Sequence, residues 1–141
     1  MSADPGNIFE RRFANRLDDL SRVVAEVARF MEDRKVSERA AYVTHLAIEE
    51  MVTNILKYGY DDDAAHDISL RLELLPDALV VLLEDDGHEF NPLAAPEPDV
   101  NQPPEQRAPG GLGIHLVRKL AETMEYQRCG RRNRLTIRIR P

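Results

Sequence analysis

A single cysteine, Cys129, leaves this chain without any possible internal disulfide and makes a reducing cytoplasm its natural compartment. No apolar run approaches the roughly 20 residues that a bilayer-spanning helix needs, so no membrane segment is expected. The first residues, Met-Ser-Ala-Asp-Pro-Gly, lack the charged-then-apolar layout of a secretory signal. A domain-wide positive field is also missing: the formal net charge is -6, which argues against a dedicated nucleic-acid binder. There is no internal repeat. Neither a Gly-x-x-x-x-Gly-Lys-Ser/Thr phosphate loop nor a Gly-x-Gly-x-x-Gly dinucleotide turn occurs. What remains is a chain of 141 residues, 43% hydrophobic and 31% charged, which suits one globular domain, residues 1–141, with one core.

Hydrophobic spacing divides the chain into elements. Ile8, Phe9 and Phe13 mark a short strand over 7–13. Asn15 is a candidate N-cap for a first helix, Leu17 to about Arg34, with Leu20, Val23, Val24, Val27, Phe30 and Met31 on one face. Ser37-Glu38 restarts a second helix that stops near Gly59. Ile68, Leu70, Leu72 and Leu74 alternate with polar residues as in a half-buried strand, and Pro76-Asp77 turns it into Leu79–Leu83. That second run is apolar on both faces and reads as a central strand. Pro92 to Pro109 has no periodicity and is a long irregular loop. Gly110-Gly111-Leu112-Gly113 opens a third helix, with Leu112, Leu116, Val117 and Leu120 on its buried side, ending near Thr123. Residues 125–140 read as a hairpin around Gly130–Asn133, its arginines (Arg128, Arg131, Arg132, Arg134, Arg138, Arg140) forming a solvated face or a partner-binding patch. The order predicts an α+β two-layer sandwich: a mixed, mainly antiparallel sheet covered on one face by about three helices.

Three stretches carry polar groups where a core would not place them. On the second helix, Glu50 and Asn54 are one turn apart and intrude on the flank of the apolar arc formed by Ile48, Met51, Val52 and Ile55. Glu49 points off the other edge, on the order of 140° from Asn54, so Glu50 is the partner. A carboxylate and a carboxamide there are costly unless they bind something or hydrogen-bond to neighbouring loops. Asp85-Asp86-Gly87 follows the central strand; an Asp at a buried strand end can accept from an exocyclic amine, and Gly87 lets backbone lie close to a flat ring. Asp-Gly is also an ordinary turn signal. Gly111 and Gly113 at a helix start suit an anion, through free N–H groups and the positive end of the helix dipole, though glycine is common punctuation there too.

Together, in this order and spacing, the three stretches resemble the Bergerat-fold (GHKL) ATPases, the superfamily of gyrases, chaperones, histidine kinases and mismatch-repair proteins. The chain is most similar to the anti-sigma-factor serine/threonine kinases of bacterial partner-switching modules, over about Ile8 to Ile139. The phrases Glu-Met-Val-Thr-Asn-Ile-Leu-Lys-Tyr-Gly-Tyr, Asp-Asp-Gly-His-Glu-Phe-Asn-Pro and Gly-Gly-Leu-Gly-Ile-His-Leu-Val carry the likeness. It implies that Asn54 ligates a Mg²⁺ bridging the phosphates of ATP and that Glu50 is the general base for the attacking hydroxyl. Lys57 matches a phosphate-contacting position of the histidine-kinase branch, or is a solvated helix lysine. Asp85 would read adenine N6 with Gly87 beneath the ring. Gly111 and Gly113, with Leu112 between them, would bring N–H groups to the phosphates. Residues 93–109 would be the ATP lid, and Thr136 would add a polar contact behind the adenine.

The resemblance further implies a cytoplasmic homodimer that uses ATP and Mg²⁺, sequesters a sigma factor or other regulator, and phosphorylates a STAS-type anti-anti-sigma antagonist. Direct nucleic-acid or membrane binding is not expected. The alternatives are a nucleotide-gated binding module with little transfer activity, a simple ATP hydrolase, and a histidine-kinase-like ATPase domain. His45 lacks the surroundings of a phospho-accepting histidine, and no dimerisation helix pair precedes the ATPase region. Departures from the family pattern are His88 and Glu89, where smaller residues are frequent, and Asp86 as a second acid beside the adenine reader.

Overall fold

In the computed structural model, which describes residues 3–94, 101 and 111–141, the chain begins with a 3-10 turn at Pro5–Asn7 and strand β1, Ile8–Ala14. Helix α1, Leu17–Asp33, buries Leu20, Val23, Val27, Phe30 and Met31, the predicted three- and four-residue spacing. Asn15 does not cap it. Arg16 holds the N-cap position without a side-chain bond, and Asn15 Oδ1 instead accepts the His66 N–H at 2.9 Å. The reason is register. Ala14 pairs with Asp67, so Asn15 faces His66 across the ladder and extends it.

A Schellman motif ends α1: Val36 N–H reaches the Met31 carbonyl and Lys35 N–H the Glu32 carbonyl, at 3.0 and 3.1 Å. Lys35, with φ of 56°, takes the left-handed position that glycine usually fills. Ser37 then caps α2, Glu38–Tyr58, accepting the Ala40 N–H at 3.1 Å. Strands β2, Asp67–Leu75, and β3, Ala78–Asp85, form the expected hairpin about Pro76-Asp77. Helix α3 is Gly111–Leu120. The final hairpin is β4, Thr123–Cys129, and β5, Arg132–Ile139, so β4 begins where α3 was expected to be ending. Gly130, at φ 62°, leads its two-residue turn.

The sheet order is β1-β2-β3-β5-β4, and every pairing in it is antiparallel. The three helices cover one face, and β3 is central as its apolar run predicts. Ile68, Leu70, Leu72, Leu79, Val81, Leu83, Leu135, Ile137 and Ile139 from the sheet meet Val43, Ala47, Ile48, Met51 and Val52 from α2. On the open face Val80 and Leu82 are only half-buried, beside Glu73 and Arg138 and beside Arg71 and Thr136 respectively. The aliphatic stems of such long charged neighbours shield them. Arg132 and Arg134 pair there with Glu84 at 3.4 and 2.9 Å, and Arg138 with Glu122 and Asp77 at 3.0 and 2.8 Å. At about 0–1 kcal/mol each, these exposed pairs keep the face wet and in register more than they stabilise it.

Helix α3 is rotated from the expected setting. Ile114 and Val117 carry its buried side, while Leu112 and Leu116 are 44% and 41% exposed. On this setting Ile114 and Val117 join the core and Gly113 abuts the Glu50 side chain of α2. Most of residues 93–109, the expected lid, lie outside the described residues. Because Ile48 is fully buried between α2 and the sheet, Ile48→Ala is expected to lower the unfolding free energy by about 2–5 kcal/mol. Urea denaturation measures this, and a loss below about 1 kcal/mol would contradict the packing.

Candidate active site

Asn54 is 9% exposed and stands on the flank of α2 that looks toward α3 and the end of β3. Its Nδ2 donates to the Glu50 carbonyl one turn back, at 3.0 Å. That bond orients the carboxamide and leaves Oδ1, a hard oxygen donor, for another use. Glu50 is half-buried while Glu49 is exposed, as the helical angles require. Lys57, in the last turn, is exposed on the same side as Glu50.

Glu50 and α3 meet at Gly113. A methyl group on Gly113 would overlap the Glu50 carboxylate, so any other residue there would displace that side chain. The first and third polar stretches are therefore in contact, with the start of α3 beside the carboxylate. Gly111 is the first residue of α3, and Leu112 faces solvent between the two glycines.

The second stretch joins through the end of α2. The Gly59 carbonyl accepts the His88 N–H at 2.9 Å, and a Cβ on Gly87 would stand 2.7 Å from the same carbonyl oxygen. Asp85, 5% exposed, is thereby held at the floor of the turn. Its Oδ2 accepts the Gly87 N–H at 2.9 Å and Asn133 Nδ2 at 3.1 Å. Burial pushes its carboxyl above the usual range, against the pull of those two donors. Next to it, Tyr60 stacks on His66 with ring centroids 4.1 Å apart and donates to Asp86 Oδ1 at 3.2 Å. Burial, then Asp85 and Asp86, drive the Tyr60 phenol far up, so it is a donor at any physiological pH. The imidazole of His66, between Asp62 at 2.7 Å and Asp86 at 3.4 Å, is pushed up chiefly by its bond to Asp62.

Glu50 is thus joined to Gly113, and Asp85 and Gly87 are joined to the end of the helix that carries Glu50, Asn54 and Lys57. Thr136 does not join them. It pairs with Leu82 on the open face of the sheet, while Asp85 points to the helix face. The polar residue of β5 beside Asp85 is Asn133, which the sequence reading placed in the turn. Counting back by twos from Ile137 and Leu135 reaches Asn133, so the alternation held the signal. His88 sits at the rim, its Nε2 3.0 Å from Asp61. Among the described residues no group of three or more His, Cys, Asp or Glu side chains could hold a metal, and no helix is long and apolar enough to cross a membrane.

A five-stranded antiparallel sheet with three helices on one face is an α+β sandwich of the Bergerat (GHKL) type. The sequence model of the histidine kinase-like ATPase domain matches residues 13–139, and the chain belongs to that family. Among its relatives are the serine-protein kinase RsbW of Bacillus subtilis, 26% identical over 87 residues, and the serine/threonine-protein kinase BtrW of Bordetella bronchiseptica, 26% identical over 101. The first match covers 58% of this chain and 54% of RsbW, so the chain spans about half the length of that relative; the second covers 72% and 71%. The fold also matches the crystal structure of the RsbU and RsbW domains of Rv1364c from Mycobacterium tuberculosis. There the TM-score is 0.67 at 15% identity, over 94% of this chain and 32% of that one.

Two outcomes follow from the geometry. Gly87→Ala sets a methyl against backbone that cannot swing away, at 2.7 Å, so a loss of about 1–3 kcal/mol is expected on urea unfolding. Gly6→Ala, with nothing within 4 Å, should stay within about 0.5 kcal/mol of the parent. Asp85 gives a pH test. Its raised folded pKa means that stability from this group is present below the unfolded pKa and lost as pH rises through the folded one. Asp85→Asn removes that loss, so its melting temperature relative to the parent should climb between about pH 4 and pH 7. A difference that stays constant over that range would refute the burial of an ionising group there.

Proposed function

We propose that this chain is an ATP- and Mg²⁺-dependent protein serine/threonine kinase that also sequesters a regulatory partner, a sigma factor or an equivalent. Its substrate is a Ser or Thr of a STAS-type anti-anti-sigma antagonist. The observation that carries this reading is the contact of the Glu50 carboxylate with Gly113, which sets a proton acceptor beside the glycine-led start of α3. Homology to RsbW and BtrW supports the transfer of phosphate to a protein hydroxyl.

The donor set fits the ligands. Asn54 Oδ1 suits a hard, octahedral cation that keeps part of its water shell. Asp85 suits an amine edge, and Gly87 lets the turn close against the Gly59 carbonyl, where a Cβ would not fit. When bound, Mg²⁺ and ATP supply the phosphoryl group and the charge that offsets its oxygens. The chain's own residues do the rest. Glu50 takes the proton of the acceptor hydroxyl, backbone N–H groups at Gly111 and Gly113 meet phosphate oxygens, and Lys57 stands ready to add a positive charge. Phosphorylation then releases the antagonist, and the unphosphorylated antagonist displaces the sequestered partner.

Two substitutions separate transfer from binding. Glu50→Ala is expected to abolish phosphorylation of a STAS-domain protein encoded beside this one, by at least about 10²-fold, while nucleotide still binds. Asn54→Ala should lose Mg-ATP binding itself. Labelled ATP with phosphoserine detection reads the first, and calorimetry the second. Unchanged transfer by Glu50→Ala would remove the assigned base; undiminished Mg-ATP affinity in Asn54→Ala would remove the assigned metal ligand.

A further inference from the structure

Asn133 is 7% exposed and pairs directly with Asp85 across β5 and β3. Which way an Asn amide points is settled by its neighbours. Here Nδ2 donates to Asp85 Oδ2 at 3.1 Å and to the His88 carbonyl at 2.8 Å. Oδ1 accepts from the Tyr126 hydroxyl at 2.5 Å, from Arg128 Nη1 at 3.1 Å and from the Phe90 N–H at 3.4 Å. A carbonyl cannot donate and a guanidinium cannot accept, so a flipped amide would oppose both His88 and Arg128. Five partners lock one orientation.

That orientation decides what Asp85 offers. Among the described residues both donors to Asp85, Gly87 N–H and Asn133 Nδ2, reach Oδ2. Oδ1 receives none, and it is not sealed away: the one sealed side-chain oxygen or nitrogen without a partner among the described residues is Thr44 Oγ1. We propose that Asn133 is the positioning residue for purine selection, occupying Asp85 Oδ2 so that Oδ1 faces the ligand as an acceptor alone. An acceptor takes the exocyclic amine of adenine and repels the O6 carbonyl of guanine. This rests on the reading of Asp85 as the base-contacting residue. The charges around Asp85 are the neighbouring Asp86, which opposes its ionisation, and Arg128, which favours it. The Tyr60 phenol stays neutral beside it. Without the Asn133 donor, burial and Asp86 prevail. With that donor gone Oδ2 is free to turn or to take a proton, giving an O–H that guanine O6 can accept, and the choice between purines would weaken.

Two variants of similar size separate this role from a merely structural one. Asn133→Leu removes the donor; Asn133→Asp replaces it with a second carboxylate against the first. Binding of Mg-ATP and Mg-GTP is measured by calorimetry on the full chain over a pH series that starts at the unperturbed carboxylate value of about 4 and runs to about pH 8. The ATP-over-GTP preference at neutral pH is expected to fall on the order of tenfold in Asn133→Leu, the worth of one charge-assisted hydrogen bond. The pH below which ATP affinity changes should move up in Asn133→Leu and further up in Asn133→Asp. Simple loss of packing would lower ATP and GTP affinity together without moving that midpoint. Preference and midpoint both at parental values in either folded variant overturn the proposal. Asp85→Asn tells the two levels apart: if it too keeps the parental ATP preference, the base-contacting reading of Asp85 falls first. If it loses that preference while the Asn133 variants keep it, only the role of Asn133 falls.

Discussion

The Gly59 carbonyl, at the last turn of α2, holds the site in shape. It accepts the His88 N–H at 2.9 Å and lies so near Gly87 that no side chain could intervene. Through this one group the helix bearing Glu50 and Asn54 is tied to the strand end bearing Asp85. Backbone does the tying, so the distance between the two polar stretches does not depend on rotamers. A side-chain bridge would cost rotamer entropy and yield a looser spacing. The third stretch is fixed differently, by the Glu50 side chain lying over Gly113. Two glycine contacts therefore join α2, already seated on the sheet by its buried side chains, to the end of β3 and to α3.

The core beneath makes this arrangement tolerable. Each fully buried aliphatic side chain contributes roughly 1.5–3 kcal/mol, and α2 alone sends Val43, Ile48 and Val52 into it. A buried polar group left without a partner costs about 1–3 kcal/mol. The site spends little even of that. Asp85 keeps two donors on one oxygen, and Asn54 keeps one bond to its own helix. Among the described residues each keeps one side-chain oxygen that no protein group donates to.

Much of this was legible before any coordinates. The period-2 run from Ile68 to Leu74, the both-sided run from Leu79 to Leu83 and the three- and four-residue spacing on α1 gave the sheet and its helix layer. Helical angles also set Glu50 rather than Glu49 on the flank of Asn54, and Glu50 is the half-buried one of the two. What escaped was set by tertiary register. Asn15 was misread because its partner, His66, is brought opposite only by the β1–β2 pairing. Leu112 and Leu116 have the right spacing for a buried stripe, but in the setting that brings Gly113 against Glu50 it is Ile114 and Val117 that are buried. Hydrophobic spacing shows that a helix has an inner face. It cannot show which of two apolar stripes takes that place.

The exchange of Thr136 for Asn133 shows the same limit at the scale of a single residue. Both are polar residues of β5, three positions apart, and a strand's two-residue period sends them to opposite faces. Placing the turn at Gly130-Arg131 instead of over Gly130–Asn133 moves Asn133 from a loop into the ladder opposite Asp85. Gly130 decides the matter, because its φ of 62° suits the first central position of a two-residue turn. A glycine at a hairpin tip thus determines which amide stands beside the buried carboxylate. The Gly130 carbonyl also accepts from Arg128 Nε at 3.1 Å, and the same guanidinium reaches Asn133 Oδ1 and the Gly87 carbonyl, so the hairpin tip bears on that carboxylate through a side chain as well as through register.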